Sequence, residues 1–502
     1  MLIKLKMKNT NMLRLFVMLI TMLFMVPGIA AQELLDMDKA LDIAVKNSPI
    51  MQQVELALTR SQELLNAQLA RQKSQLSLVL NPFEYDRTNR FDQRTSEWFL
   101  NESARSAGTF SINQRILPTD GTIALRNTFS YDYNNSESAG AINPVSKTWN
   151  NRLRLELSQP IFTYNRTKVQ LESLRLANEN ALLRYLLQKL SLERMVAQSF
   201  YAVYSRQMSL LIAQEELKNN EDSHEIIRNK VEGGLLALEE LYQSEVNLAT
   251  SRSNVFTTEL NLQNTMDELK INIGMPLEQE FVIVTQIVID TVDVDPDMAI
   301  QHALENRMEL RQREIDIDNS TFALMEAKTT NEFAGSVTAS FGITSNNEDL
   351  GMLFDKPTTT PAIGVTLNIP IFDWGERKSE IKAAEADLQS TEIDLEIEKR
   401  DIKMNVRSVV RNLENLKNQV IIQEKTVENA ELTYDINLER YRNGDLTSLD
   451  LGMYQNQLSD TKMALTNAKI NYKLELLNLK IQTLYDFELG ESIVPKELLN
   501  DE

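Results

Sequence analysis

The nine residues "PIFDWGERK" run from Pro370 to Lys378, and "PIFTYNRTK" runs from Pro160 to Lys168. The two phrases stand 210 residues apart. Each follows a run in which apolar and polar residues alternate, and each precedes a long run with helical periodicity. A strand-to-helix change made twice at a fixed distance indicates a chain built from two similar halves. The flanks keep the offset. "LRLELSQPIF" (153–162) faces "IGVTLNIPIF" (363–372), and Gly234 in "VEGGLLALEEL" faces Gly444 in "YRNGDLTSLDL". The triplet "LKI" recurs at 269–271 and 479–481. The openings of the halves also match, "DMDKALDIAVKN" (36–47) with "DPDMAIQHALEN" (295–306), at an offset of 259. The offsets 259 and 210 differ by 49 residues. The first half carries these as an insert between positions 80 and 148, where Asn, Ser, Gly and Thr are dense.

Each half reads alike. A short helix capped by Asp36 or Asp295 comes first, then a second helix, then strands. A helix of about 65 residues follows, then a glycine turn and a helix of about 40. At 1.5 Å per residue the longest helix would reach on the order of 100 Å. Its apolar residues repeat by seven. Leu388, Leu395, Ile402, Val409 and Leu416 make one row; Val406, Leu413, Val420, Val427, Tyr434 and Tyr441 make another. Leu451, Leu458, Leu465, Tyr472 and Leu479 make a third, and Leu176, Leu183, Leu190, Ala197, Tyr204 and Leu211 a fourth. Such rows call for antiparallel partner helices in a coiled coil. Gly233, Gly234 and Gly444 suit the reversals between them.

The strands show period two. Ile123, Leu125, Asn127, Phe129, Tyr131 and Tyr133 alternate with Thr122, Ala124, Arg126, Thr128, Ser130 and Asp132. Leu153, Leu155 and Leu157 form one face of a second strand. Val337, Ala339, Phe341 and Ile343 form one face of a third, and Ile363, Val365, Leu367 and Ile369 one face of a fourth. One apolar and one polar face per strand fits a membrane barrel wall. It also fits a soluble sheet covered on one side by helices. Four strands cannot close a barrel, and open strand edges are prohibitive in lipid. Either the insert hides more strands, or several chains share one barrel. "TFSINQRILPTDGTIAL" (109–125) suggests one extra hairpin around Thr119–Asp120–Gly121.

Composition narrows the classes. The 502 residues include only 15 Gly and 12 Pro, so most of the chain is expected in regular structure. The formal charge is −20. An acidic chain lacks the basic face that nucleic acid requires. There is no cysteine, which excludes disulfides, thiolate metal sites, a cysteine nucleophile and a lipid-anchored N-terminal cysteine. "MLIKLKMKNTNMLR" is basic, "LFVMLITMLFMV" is apolar and "PGIAA" offers small residues, so residues 1–31 read as a secretory signal cleaved after Ala31. Without the four positive charges of that leader the remainder stands at −24. No other run approaches the roughly 20 apolar residues of a membrane helix.

The two-fold repeat, the strand–Pro–Ile–Phe–helix junctions at 160–162 and 370–372, the glycine turns near 234 and 444 and the "DMDKALDIAVKNSP" opening together resemble the outer membrane efflux proteins, the TolC-like family. The likeness covers essentially the whole chain beyond the leader. It implies a mainly α fold with membrane β. Long antiparallel coiled-coil helices, repeated twice, form an α-barrel tunnel, and four strands per protomer contribute to a shared transmembrane β-barrel of twelve. It implies a homotrimer in outer membrane lipid, a periplasmic adaptor protein and an inner-membrane pump of RND, ABC or MFS type. Pro160, Phe162, Pro370 and Phe372 would mark the change from barrel to tunnel. Proline fits there because it ends strand pairing and fixes φ before a helix begins. Carboxylates near the hairpin tips would narrow and charge the periplasmic entrance: Glu232, Glu239 and Glu240 in the first half, Asp445 and Asp450 in the second. The same acids also suit helix N-termini on macrodipole grounds alone.

The expected organisation is a signal peptide at 1–31, a first repeat at 32–290, a second at 291–490 and a C-terminal tail at 491–502. In the first repeat the strands fall within positions 108–160 and the long hairpin over 164–275. In the second, strands fall at 334–345 and 361–371 and the hairpin over 374–487. No catalytic, metal or cofactor motif emerges. His224 in "HEIIR" lacks the second histidine of a zinc helix and suits a solvated face. His302 replaces Ile43 of the first half and suits packing. The expected function is the outer-membrane exit duct of a tripartite efflux system. The alternatives are the outer-membrane component of a type I protein secretion system and, in a different class, a periplasmic coiled-coil adaptor.

Overall fold

The computed structural model describes residues 33–495, apart from 94–95, 137–144, 284–286, 288 and 290. The expected leader at 1–31 and positions 496–502 of the expected tail lie outside the described residues. In chain order the elements are β1 (Glu33–Leu35), α1 (Met37–Asn47), α2 (Pro49–Arg71), β2 (Gln75–Asp92), β3 (Glu97–Ile116), β4 (Gly121–Ser136) and β5 (Val145–Ile161). Then come α3 (Arg166–Glu232), α4 (Leu238–Ile273), β6 (Phe281–Ile283), α5 (Pro296–Asn306), α6 (Met308–Ala327), β7 (Ala334–Asn347) and β8 (Thr358–Asn368). The last described elements are α7 (Glu376–Asn443), α8 (Ser448–Thr483) and the short pair β9 (Tyr485–Asp486) and β10 (Glu491–Ser492).

The described residues fall into two compact units. One comprises 53–188, 297–406 and 494–495; the other comprises 33–52, 189–296 and 407–493. The long helices α3 and α7 contribute residues to both.

The first unit holds a six-stranded antiparallel sheet in the order β2-β3-β4-β5-β7-β8. This corrects the expected four strands. The expected hairpin near Thr119–Asp120–Gly121 is the β3–β4 turn, with Asp120 at φ +57. The further strand, β2, begins at Gln75, upstream of the region expected to hold strands. Two features hid it. Pro82 lies where the register shifts between Asn81 and Glu84, and a proline at a bulge costs no ladder bond. Beyond the bulge β2 is polar on both faces, so its alternation stops.

Register makes the sheet two-faced. One row across all six strands reads Leu76, Ile112, Leu125, Leu155, Phe341 and Pro361. The adjacent row reads Ser77, Ser111, Arg126, Arg154, Gly342 and Thr360. Because side chains alternate along a strand, these rows face opposite sides. The apolar face stays uncovered: Leu76, Leu80 and Ile363 are 65%, 64% and 78% exposed. Such a surface in water would be costly.

The helices of this unit are joined by polar ties. Arg311 of α6 donates to both carboxylate oxygens of Glu179 on α3, at 2.6 and 3.1 Å. That forked contact holds the Arg311 guanidinium well above its usual range. Gln312 donates to Asn180 of α3 at 2.8 Å, and Arg313 reaches Glu398 of α7 at 3.3 Å. So α6 is tied to α3 on one side and to α7 on the other.

In the second unit the seven-residue rows find their partners. Val406 lies at the end of the first unit's α7 segment and is buried. Along the rest of its row Leu413, Val420, Tyr434 and Tyr441 are buried as well. Ile227 of α3, Tyr434 and Tyr441 of α7 and Leu451 and Leu458 of α8 form one cluster, with Val231, Leu241 and Leu446 packed against it. Near the amino-terminal end, the Asp36 carboxylate caps α1 by accepting from the Lys39 amide at 2.8 Å. Strand β1 pairs parallel with β6. Among the described residues no helix is long and apolar enough to cross a membrane.

Candidate functional site

Two places carry the residues singled out in the sequence. The first is the pair of helical hairpin tips. Helices α3 and α7 end in the same way. Gly234 and Gly444 have φ of +73 and +89, a conformation that costs side-chain-bearing residues. The Leu235 amide donates to the Lys230 carbonyl at 2.8 Å, and the Asp445 amide to the Arg440 carbonyl at 2.9 Å. Each is the six-residue closure that satisfies a helix's last carbonyls. Gly233 keeps a negative φ, and its amide still donates back into the helix, to Asn229 at 3.1 Å.

The structure brings the tips together through a residue the sequence reading missed. Lys230 Nζ donates to the carbonyls of Tyr441 and Arg442, at 3.2 and 2.8 Å. Its ammonium lies 5.8 Å from the centre of the Tyr441 ring. A cation at the end of α7 also complements that helix's macrodipole. The signal for it was slight: Lys230 stands 210 residues before Arg440, four residues ahead of the turn glycine.

Tyr441 is buried, and among the described residues its hydroxyl has no hydrogen-bond partner. Burial, and then the nearby Glu240 carboxylate, push its phenol well above the usual range. Burial likewise pushes Tyr434 up to about 12. His224, expected on a solvated face, is instead half-buried, with Nδ1 2.8 Å from Ser244 Oγ of α4.

The tip carboxylates stand apart from these contacts. Glu239 and Asp445 are exposed, and Glu240 and Asp450 half-buried. No ion pair among the described residues engages any of the four. Asp450 accepts from Thr447 Oγ1 at 2.8 Å, and Thr447 caps α8 by accepting from the Asp450 amide at 3.2 Å. Glu239 and Glu240 occupy the first turn of α4, whose cap residue, Ala237, makes no side-chain bond. Among the described residues no group of three or more His, Cys, Asp or Glu side chains could hold a metal ion.

The second place is the pair of strand–helix junctions. Pro160 stays in the ladder opposite Ser336, one residue before β5 ends. Pairing of β5 with β4 stops at Ser158, so Pro160 sits where β5 has a neighbour on one side only. Its missing N–H is free to lie on the open side. Pro370 comes two residues after β8 ends. Phe162 and Trp374 both adopt positive φ, +63 and +55. Phe162 packs on Phe333 at 5.2 Å, and Phe372 meets Trp374 edge-on at 4.8 Å. Phe162, Phe372 and Trp374 are 63%, 71% and 91% exposed, which suits rings at a membrane interface. Asn165 and Asp373 then start the helices. The Asn165 side chain accepts from the Lys168 amide at 2.8 Å. The amides of Gly375 and Arg377 hold the Asp373 carboxyl below its usual range.

The sequence profile of the outer membrane efflux protein family matches residues 124–274 and 299–481. A probable outer membrane lipoprotein, SilC of Salmonella typhimurium, is 22% identical over 288 residues, covering 57% of this chain. The matched region spans 61% of that relative's length. The crystal structure of the CmeC outer membrane channel of Campylobacter jejuni has the same fold, with a TM-score of 0.65 at 15% identity over 92% of this chain and 88% of the other. The outer membrane protein VceC of Vibrio cholerae gives 0.63 at 15% identity, over 91% and 96%.

Proposed function

This chain belongs to the outer membrane efflux protein family, and from that premise we propose that it is the passive exit duct of a tripartite efflux system. Three copies pool their sheets into one barrel in the outer membrane. Their paired long helices line a tunnel through the periplasm, whose entrance lies at the hairpin tips. A periplasmic adaptor engages the helical part, and an inner-membrane pump of RND, ABC or MFS type supplies cargo and energy. The duct performs no chemistry of its own.

The observation that carries this reading is the two-faced sheet. Among the described residues nothing covers its apolar row from Leu76 to Pro361, which suits lipid, and its polar row from Ser77 to Thr360 suits a water-filled interior. Among the described residues the edges β2 and β8 have no further strand partner. Unpaired backbone groups in hydrocarbon cost several kcal/mol each by the usual order of magnitude, so the sheet must close with other copies. The duplicated hairpins fit the same reading. We take the repeats to span 32–290 and 291–490.

The test is the native mass of full-length protein extracted from outer membranes in mild detergent, followed by conductance in a planar bilayer. A trimer that opens stable channels is expected. A monomer released without detergent would overturn the reading.

A further inference from the structure

The six-stranded sheet carries more than closure. Strands β4 and β5 match β7 and β8 at the 210-residue offset of the repeat. Strands β2 and β3 have no counterpart in the second half. They form a hairpin added between α2 and β4, at one edge of the sheet. The resemblance of the sequence implied four strands per copy and twelve in the barrel.

An added hairpin could stand outside the membrane as a flap. Its residues argue otherwise. Leu76 and Leu78 of β2 and Ile112 and Phe110 of β3 fall on the face of Leu125 and Leu155, in unbroken register with them. On the other side, Ser77 and Ser111 continue the polar row of Arg126 and Arg154. A flap in water gains nothing from presenting three leucines in alternation on one face. A lipid-facing wall requires that pattern. The row that is apolar in all six strands, Leu76 to Pro361, lies at a level that all six share; the next row on that face, Leu78, Phe110, Asn127, Leu153, Ile343 and Thr359, is apolar except at Asn127 and Thr359. Where β2 and β3 run on past the end of β4, at 89–92 and 97–100, no described strand of the repeat accompanies them.

The two edges are also fitted to each other. Six is an even count, so β2 and β8 run in opposite directions, and β8 of one copy can meet β2 of the next antiparallel. Both are exposed along their whole described length. Both carry the apolar face on alternate residues: Leu76, Leu78 and Leu80 on β2, and Ile363, Val365 and Leu367 on β8. A head-to-tail contact of this kind closes into a ring when the rotation is a whole fraction of a turn.

Resting on the trimeric reading above, we propose that each copy lends all six strands, so that three sheets of six close an eighteen-stranded barrel through β8–β2 pairing between copies. Strand spacing of about 4.8 Å and a tilt of about 40° give a backbone diameter of about 36 Å, against about 24 Å for twelve strands. The exit is therefore about 1.5 times wider than in a twelve-stranded barrel.

The experiment is single-particle imaging of the full-length protein in lipid nanodiscs, viewed along the barrel axis. Three copies with eighteen strands in the wall support the proposal. Three copies with twelve wall strands, and β2–β3 outside, overturn it while leaving the duct intact. Any other copy number overturns the trimeric reading itself. The absence of cysteine allows an independent check. Ser77→Cys is combined in turn with Thr358→Cys, Thr360→Cys and Ala362→Cys, all on the polar face. Oxidation should link copies into a covalent trimer for at least one combination. Linkage through Thr128→Cys on β4 instead would place β4 at the edge and overturn the proposal.

Discussion

Lys230 Nζ donates to the Arg442 carbonyl at 2.8 Å, so the first hairpin holds the last turn of the second hairpin's long helix. The residues are 212 apart in sequence. Lys230 also donates to the Tyr441 carbonyl at 3.2 Å, and the same turn is closed by Gly444. Lys230→Met should retain the packing of the side-chain stem and lose both bonds and the charge. The expected cost is about 1–2 kcal/mol, concentrated at the tips. Amide hydrogen exchange should quicken over 227–232 and 438–445 and stay unchanged in the strands. Equal exchange in both proteins would mean that the lysine is a bystander.

Tyr441 lies one residue from that contact. Its buried hydroxyl has no partner among the described residues, and an unsatisfied buried group costs about 1–3 kcal/mol. Tyr441→Phe keeps the ring in the cluster with Ile227 and Leu451 and removes the polar atom. The thermal midpoint should rise or hold. A clear fall would show that the hydroxyl is held by water in the assembled protein.

The sequence made the repeated junctions, the glycine turns and the heptad rows legible because each is a local pattern. The row from Val406 to Tyr441 is buried nearly throughout, since seven-residue spacing keeps one face turned to a partner helix. Strand β2 was not legible. Its alternation lasts only from Gln75 to Leu80, and Asn81–Pro82 then reads as a turn where the structure has a bulge. The placing of His224 failed for a related reason: nothing in "HEIIR" discloses that Ser244 of the next helix lies opposite. Lys230 likewise gave no sign of its acceptors, because backbone carbonyls leave no mark on side-chain identity.

Glycine at the second turn is required by conformation and not by space. At Gly444, φ is +89 and an added Cβ would meet nothing within 4 Å. Gly444→Ala should therefore cost about 1–2 kcal/mol from backbone strain alone. Gly444→Asn should cost less, because asparagine tolerates the left-handed region. Gly452, inside α8, also has open space around its Cβ but no positive φ. Gly452→Ala should stabilise by about 1 kcal/mol. Opposite shifts of the thermal midpoint for the two alanines are the expected result.

Glu216 on α3 provides a pH test. Burial, and after it the Asp460 carboxylate, push its carboxyl above the usual value. The folded protein therefore keeps this proton to a higher pH than the unfolded chain does. Its contribution to stability falls as pH rises from the ordinary carboxylate range through the folded value, and at neutral pH the charge is a liability. Glu216→Gln should raise the thermal midpoint at pH 7.5, and the advantage should shrink as pH drops toward the ordinary carboxylate range. An advantage that persists in acid would trace to packing.

Asp450 can serve its own helix, the entrance, or both. It lies in the first turn of α8, where an acid is favoured by the macrodipole, and it accepts from Thr447 Oγ1 at 2.8 Å. It also has no cation bound to it among the described residues, so its charge remains available to solution ions. Asp450→Asn separates the roles. The amide oxygen can still accept from Thr447, so the midpoint should move by no more than about 0.5 kcal/mol equivalent. In the proposed trimer three charges would be lost around the axis, so cation selectivity should fall and block by divalent cations should weaken. If conductance and block are unchanged while the midpoint falls, the carboxylate serves only the helix end, and the acids lining the entrance must be sought elsewhere.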